Sequence, residues 1–82
     1  MSEDEIVFDF NKLRGKIKEV YGTQSSFANA MKTNEATLSN KLNNNVEFAQ
    51  KEILRACKLL GINSTEIAEY FFTLRVQELE LI

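Results

Sequence analysis

The chain has 82 residues, 44% of them hydrophobic, with no proline, no histidine and a single cysteine. This is material for one small globular domain around one core, a size at which stability is marginal and dimerisation is an advantage. Cys57 alone makes no internal disulfide, no apolar run approaches the roughly 20 residues that span a bilayer, and Ser2 to Glu5 is acidic where a secretion signal is basic, so the expected setting is the cytoplasm.

The net charge of −2 is unevenly spread. Residues 1–9 carry −4 and residues 61–82 carry −3, whereas residues 10–60 carry +5. An acidic chain therefore has a basic centre, which is where an anionic partner would bind.

In chain order, a first helix is expected to start at Asn11 as N-cap and to bury Leu13, Ile17, Val20 and Tyr21 before Gly22 ends it. Thr23 caps a second helix with Phe27, Ala28 and Met31 inward, and Asn34 caps a third in which Leu38 and Leu42 lie one turn apart. Asn43, Asn44 and Asn45 form a loop, because adjacent amides bond local backbone and tolerate the left-handed conformation. A fourth helix runs from about Ala49 to Leu60 with Ile53, Leu54, Cys57 and Leu60 inward, and Gly61 closes it. A fifth starts at Asn63 or Ser64 and packs through Ile67, Tyr70 and Phe71, with Leu74 as a further candidate.

Both ends also show strand-like alternation, Ile6, Phe8 and Phe10 at one and Leu74 and Val76 at the other. Thr73 to Ile82 suits either a strand or a prolonged fifth helix. The expected division is an acidic arm over 1–8, a DNA-binding domain over 9–73, and a tail over 74–82 whose Leu79, Leu81 and Ile82 serve dimerisation or partner docking, or else fold back on the chain's own core.

The second and third helices have the layout of a DNA-reading pair, with Ala28 at the close approach and Phe27, Met31, Leu38 and Leu42 as anchors. Asn34, Glu35, Ala36, Ser39 and Asn40 then face outward as the base-contacting candidates, of which Ser39 and Asn40 are the best placed. Lys12, Lys16 and Lys18 add cations that support phosphate contact non-specifically. Glu35 equally suits a purely structural place at a helix N-terminus, and the three asparagines equally suit a plain turn.

The stretch "TQSSFANAMKTNEATLSNKL" resembles the motif of Cro/lambda-repressor-like phage regulators. More narrowly, "FDFNKLRGKIKEVYGTQ", "LSNKLNN" and "EILRACKLLGINSTEIAEYFF" together resemble short Cro-like or repressor-modulator proteins of Gram-positive phages and prophages, over roughly residues 8–73. The resemblance implies an all-α, five-helix, lambda-repressor-like helix-turn-helix domain whose phosphate-contacting candidates are Gln24, Ser25, Lys32, Lys41, Asn43, Asn44 and Asn45. Three residues depart from the pattern: Lys32 stands where the turn usually has glycine, Glu35 replaces a glutamine, and Lys41 occupies a position that is often apolar.

The residue inventory argues against an enzyme: there is no histidine, no glycine-rich phosphate loop and no apolar carboxylate pair. Cys57 reads as a small core residue, and no cofactor, metal or small-molecule substrate is expected. The expected function is a Cro-like regulator, a homodimer on double-stranded operator DNA with residues 34–42 in the major groove. The competing reading is an antirepressor or modulator that uses the same fold to bind a phage repressor protein.

Overall fold

The computed structural model describes residues 6–75, which form five α-helices: α1 (Asn11–Tyr21), α2 (Gln24–Ala30), α3 (Glu35–Leu42), α4 (Gln50–Leu60) and α5 (Ile67–Phe71). A single 3₁₀ turn, Ser64–Glu66, leads into α5, so the fifth helix is shorter than its apolar spacing suggests. The helices enclose one core in which Leu13, Ile17, Phe27 and Leu38 are the largest fully buried side chains. Among the described residues no helix is long and apolar enough to cross a membrane.

Local chemistry sets the helix ends. Thr23 Oγ1 accepts the Ser26 N–H at 3.0 Å and Asn34 Oδ1 accepts the Thr37 N–H at 2.8 Å, each supplying a partner to a donor that the helix start leaves open. Asn11 is not a cap. It is the first helical residue, and Asp9 Oδ1 accepts its N–H at 2.8 Å.

Three helices end on a left-handed residue with the same wrapped hydrogen bond. After α2, Lys32 has φ 63° while Thr33 N–H reaches Ala28 O at 2.9 Å. After α3, Asn44 has φ 67° while Asn45 N–H reaches Asn40 O at 2.8 Å. After α4, Gly61 has φ 70° while Ile62 N–H reaches Cys57 O at 2.9 Å. Only the last is the residue that takes this conformation freely.

Two expected core positions face outward. Val20, at the exposed end of α1, and Leu54 both lie at the surface, and Ala56 takes the inward place instead. The buried stripe of α4 is therefore Ile53, Ala56, Cys57 and Leu60, at i, i+3, i+4 and i+7.

The body extends beyond 9–73 at both ends. Phe8 and Leu74 form an antiparallel bridge, flanked by Asp9 N–H to Thr73 O at 2.7 Å and Arg75 N–H to Val7 O at 2.9 Å. Strand-like pairing therefore prevails over a prolonged helix as far as Arg75. The dimerisation role read for Leu79, Leu81 and Ile82 lies outside the described residues.

Candidate functional site: the α2–α3 pair and an aromatic groove

α3 packs against α2 through Leu38 and Leu42, which join Phe27, Ala28 and Met31 in the core. The opposite side of α3 presents Glu35, Ala36 and Asn40 to solvent, with Ser39 half-buried beside them. Asn34 is exposed too, and its side-chain oxygen is the α3 cap. These five base-contacting candidates thus share one helix and its cap. Gln24 is half-buried and Ser25 exposed in the first turn of α2, and Lys32 is exposed at the turn between the helices.

The remaining phosphate-contacting candidates are engaged within the fold. Lys41 Nζ lies 3.0 and 3.1 Å from the two carboxylate oxygens of Glu52, and its side chain is only 13% exposed. The stem passes over the core edge and the ammonium reaches α4. Burial alone would raise the Glu52 carboxyl, but the Ala49 N–H it accepts and the Lys41 ammonium hold it below its ordinary value.

Asn44 is likewise engaged within the fold. Its Oδ1 accepts the Phe8 N–H and its Nδ2 donates to the Phe8 carbonyl, both at 2.9 Å. One side-chain amide thereby stands in for a neighbouring strand, on the side of Phe8 away from Leu74. Asn43 accepts from the Arg14 guanidinium at 2.9 Å while the same nitrogen donates to Leu42 O at 3.0 Å, fixing α1 to the end of α3. Asn45 Nδ2 lies 3.4 Å from Asn40 Oδ1.

The supporting lysines of α1 do not form one free patch. Lys12 sits 3.3 Å from Glu69 and 4.8 Å from the Tyr70 ring centroid, and Lys16 lies 3.8 Å from Glu19; Lys18 is exposed. Cys57 is buried, which pushes its thiol pKa up and keeps it protonated. Among the described residues no cluster of Cys, Asp and Glu side chains is placed to hold a metal ion.

A second surface was not singled out in the sequence. Five of the six phenylalanines form a continuous row: Phe72 to Phe8 at 5.9 Å between centroids, Phe8 to Phe10 at 6.1 Å, Phe10 to Phe48 at 5.4 Å and Phe48 to Phe71 at 5.3 Å. Three of the four contacts are edge-to-face, the geometry aromatic quadrupoles favour. The row underlies an open groove of about 690 Å³. Ile6, Val46 and Phe72 stand at its walls with 52%, 49% and 52% of their surface exposed, enough apolar area in one place to mark a contact site. Its walls come from three separated segments, around residues 6–10, 41–53 and 71–72, and no spacing rule announces that they meet.

These features define a compact five-helix, all-α domain with two neighbouring surfaces, a polar helix face and an aromatic groove. The chain belongs to the family described as "Protein of unknown function (DUF739)", whose model matches residues 6–74. Among solved structures it is similar to the modulator of repression (MOR) of the temperate bacteriophage TP901-1 from Lactococcus lactis. The two are 46% identical with a TM-score of 0.72, over 79% of this chain and 88% of that one. No curated protein matches the chain.

Proposed function

We propose that this protein is a modulator of repression, which binds a phage repressor protein and changes that repressor's hold on its operator. The observation that carries the reading is the 46% identity to the TP901-1 modulator across most of both chains. The surface supports it. The aromatic groove leaves apolar side chains uncovered, which suits the buried centre of a protein interface. The charged side chains of α3 are only Glu35 and Lys41, and Lys41 is neutralised by Glu52, so that helix offers phosphate no free cation of its own.

The groove is the docking site in this reading, with Phe72 and Val46 as the contact residues and Glu47 and Gln50 at its polar rim. The basic segment 10–60 favours direct operator binding through α3 as the competing reading.

Fluorescence anisotropy of labelled operator DNA separates the two. The expected result is no sequence-selective binding by this protein alone at either of two salt concentrations, and an altered repressor–operator isotherm when it is added to the repressor of the same phage. Tight, selective, salt-sensitive binding without repressor would make it a Cro-like repressor instead. The homodimer expected from the small core enters the same titration as a dependence on protein concentration.

A further inference from the structure

The extended segment around Phe8 is held from two sides. Toward Leu74 it forms one rung of an antiparallel ladder, through Asp9 N–H to Thr73 O and Arg75 N–H to Val7 O. In such a rung the N–H and C=O of Phe8 itself point the other way, along the opposite edge. There the Asn44 amide accepts the N–H at Oδ1 and donates to the carbonyl from Nδ2, both at 2.9 Å. A residue of a further antiparallel strand would offer Phe8 the same two bonds, one carbonyl and one N–H. Asn44 thus closes the edge at which a sheet would otherwise continue.

The backbone alone would favour a different residue at position 44. α3 ends there with φ 67° and the wrapped Asn45 N–H to Asn40 O bond, and α4 makes the same ending with Gly61. Glycine takes this conformation freely and asparagine at some cost. What glycine lacks is the side-chain amide. The edge that the amide covers has no other protection of its own. Ile6, Val7 and Phe8 are residue types that favour extended pairing, with neither a charge nor a proline among them. Ile6 is exposed and lies with Phe8 and Val46 on the wall of the aromatic groove. A strand arriving at this edge would therefore gain apolar contact as well as two hydrogen bonds.

We propose that the Asn44 side chain is an edge guard, which closes residues 6–8 against pairing with the same segment of a second copy of this chain. Two copies related by a two-fold axis would present Phe8 N–H and C=O to each other antiparallel, each supplying what the amide now supplies. The guard is independent of the repressor-binding reading, because its two bonds lie within the fold whether or not the groove is occupied.

Asn44→Gly in the full-length chain removes both bonds and relieves the left-handed backbone, so the fold is kept while the edge is bared. Sedimentation velocity at a low and a high protein concentration is expected to show self-association about tenfold or more tighter than in the unmodified protein, since two hydrogen bonds per chain are freed for pairing. Amide exchange at Phe8 should be fast in the dilute variant and slowed in the concentrated one, whereas the unmodified protein should protect Phe8 equally in both. Ile6→Lys/Asn44→Gly, with a charge on the bared edge, should return to the unmodified association constant. Asn44→Gly sedimenting like the unmodified protein at both concentrations would overturn the proposal. So would association that Ile6→Lys leaves in place, or that comes without slowed exchange at Phe8, because the contact then lies on another surface.

Discussion

The outward face of α3 and the aromatic groove are built from equally ordinary residues but differ in what the fold leaves unsatisfied. On α3, Asn34 is spent on its own cap and Asn40 lies near Asn45, and the one lysine of the helix is turned onto Glu52. In the groove, Ile6, Val46 and Phe72 each keep about half their surface in water. A helix with the spacing of a reading head is thus not enough to assign a partner. Hydrogen-bonding groups that already have partners gain little from a new one, whereas uncovered apolar area gains on any burial.

The largest effect removes both surfaces together. Leu38→Ala leaves a void under α3 at a position only 2% exposed and is expected to cost about 2–5 kcal/mol, a fall in melting temperature of about 10 °C or more. A thermal melt of the variant checks it, and an unchanged midpoint would contradict the burial of this side chain.

Splitting the two surfaces is the sharper test. The double variant Val46→Asp/Phe72→Asp is expected to weaken repressor binding by about thirtyfold or more, as for a hot spot of ~2 kcal/mol, with a near-normal melting temperature because both side chains are half exposed. Asn40→Ala should leave repressor binding within about twofold. If Asn40 instead reads a base, its loss costs about 1–3 kcal/mol at one operator position and little elsewhere. Titration calorimetry on the two variants reverses the comparison if Asn40→Ala is the one that fails.

A smaller effect probes the wall between them. Asn44→Ala withdraws both bonds from Phe8 and puts alanine at φ 67°, for an expected loss of about 1–3 kcal/mol. Amide exchange at Phe8 and Arg75 should accelerate more than exchange in α1. Equal acceleration everywhere would mean that Asn44 holds no local wall.

What was legible in the sequence is what is decided within a few residues. Thr23 and Asn34 cap donors three positions on, and Gly22 and Gly61 terminate helices through φ values of 83° and 70°. What was not legible depends on distant partners. Asn44 meets Phe8 across 36 positions and Lys41 meets Glu52 across 11, so an amide loop and a lone lysine look free until the helices are packed. The groove failed for the same reason, since Phe8, Phe48 and Phe72 belong to no common periodic stripe. Leu54 was misread because periodicity admits it on the edge of the α4 core stripe, and only the neighbouring cations Lys51, Arg55 and Lys58 assign it to the other face.

The turn between α2 and α3 offers a gain instead of a loss. Lys32 has φ 63°, a conformation that costs a side-chain-bearing residue about 1 kcal/mol relative to glycine. Lys32→Gly is expected to recover up to that amount, read as a slightly raised denaturation midpoint. Repressor binding should be unchanged in the modulator reading, whereas loss of a phosphate contact would lower DNA affinity with a shallower salt dependence.

The smallest effect tests the ion pair that takes the α3 lysine out of play. Glu52 has a folded pKa below its ordinary carboxylate value, so its contribution is fully present above that value and is lost as pH falls through the lower folded one. With its side chain 30% exposed, the pair is worth under about 1 kcal/mol. Glu52→Gln should therefore be less stable than the unmodified chain at pH 7, and the gap should narrow as pH falls through the lowered folded pKa of Glu52, where a protonated Glu52 resembles glutamine. Chemical denaturation of both proteins at pH 7 and pH 3 measures the gap directly. A gap that stays constant would mean that Lys41 is not held by the carboxylate charge, and the α3 face would regain a free cation and with it part of the case for phosphate.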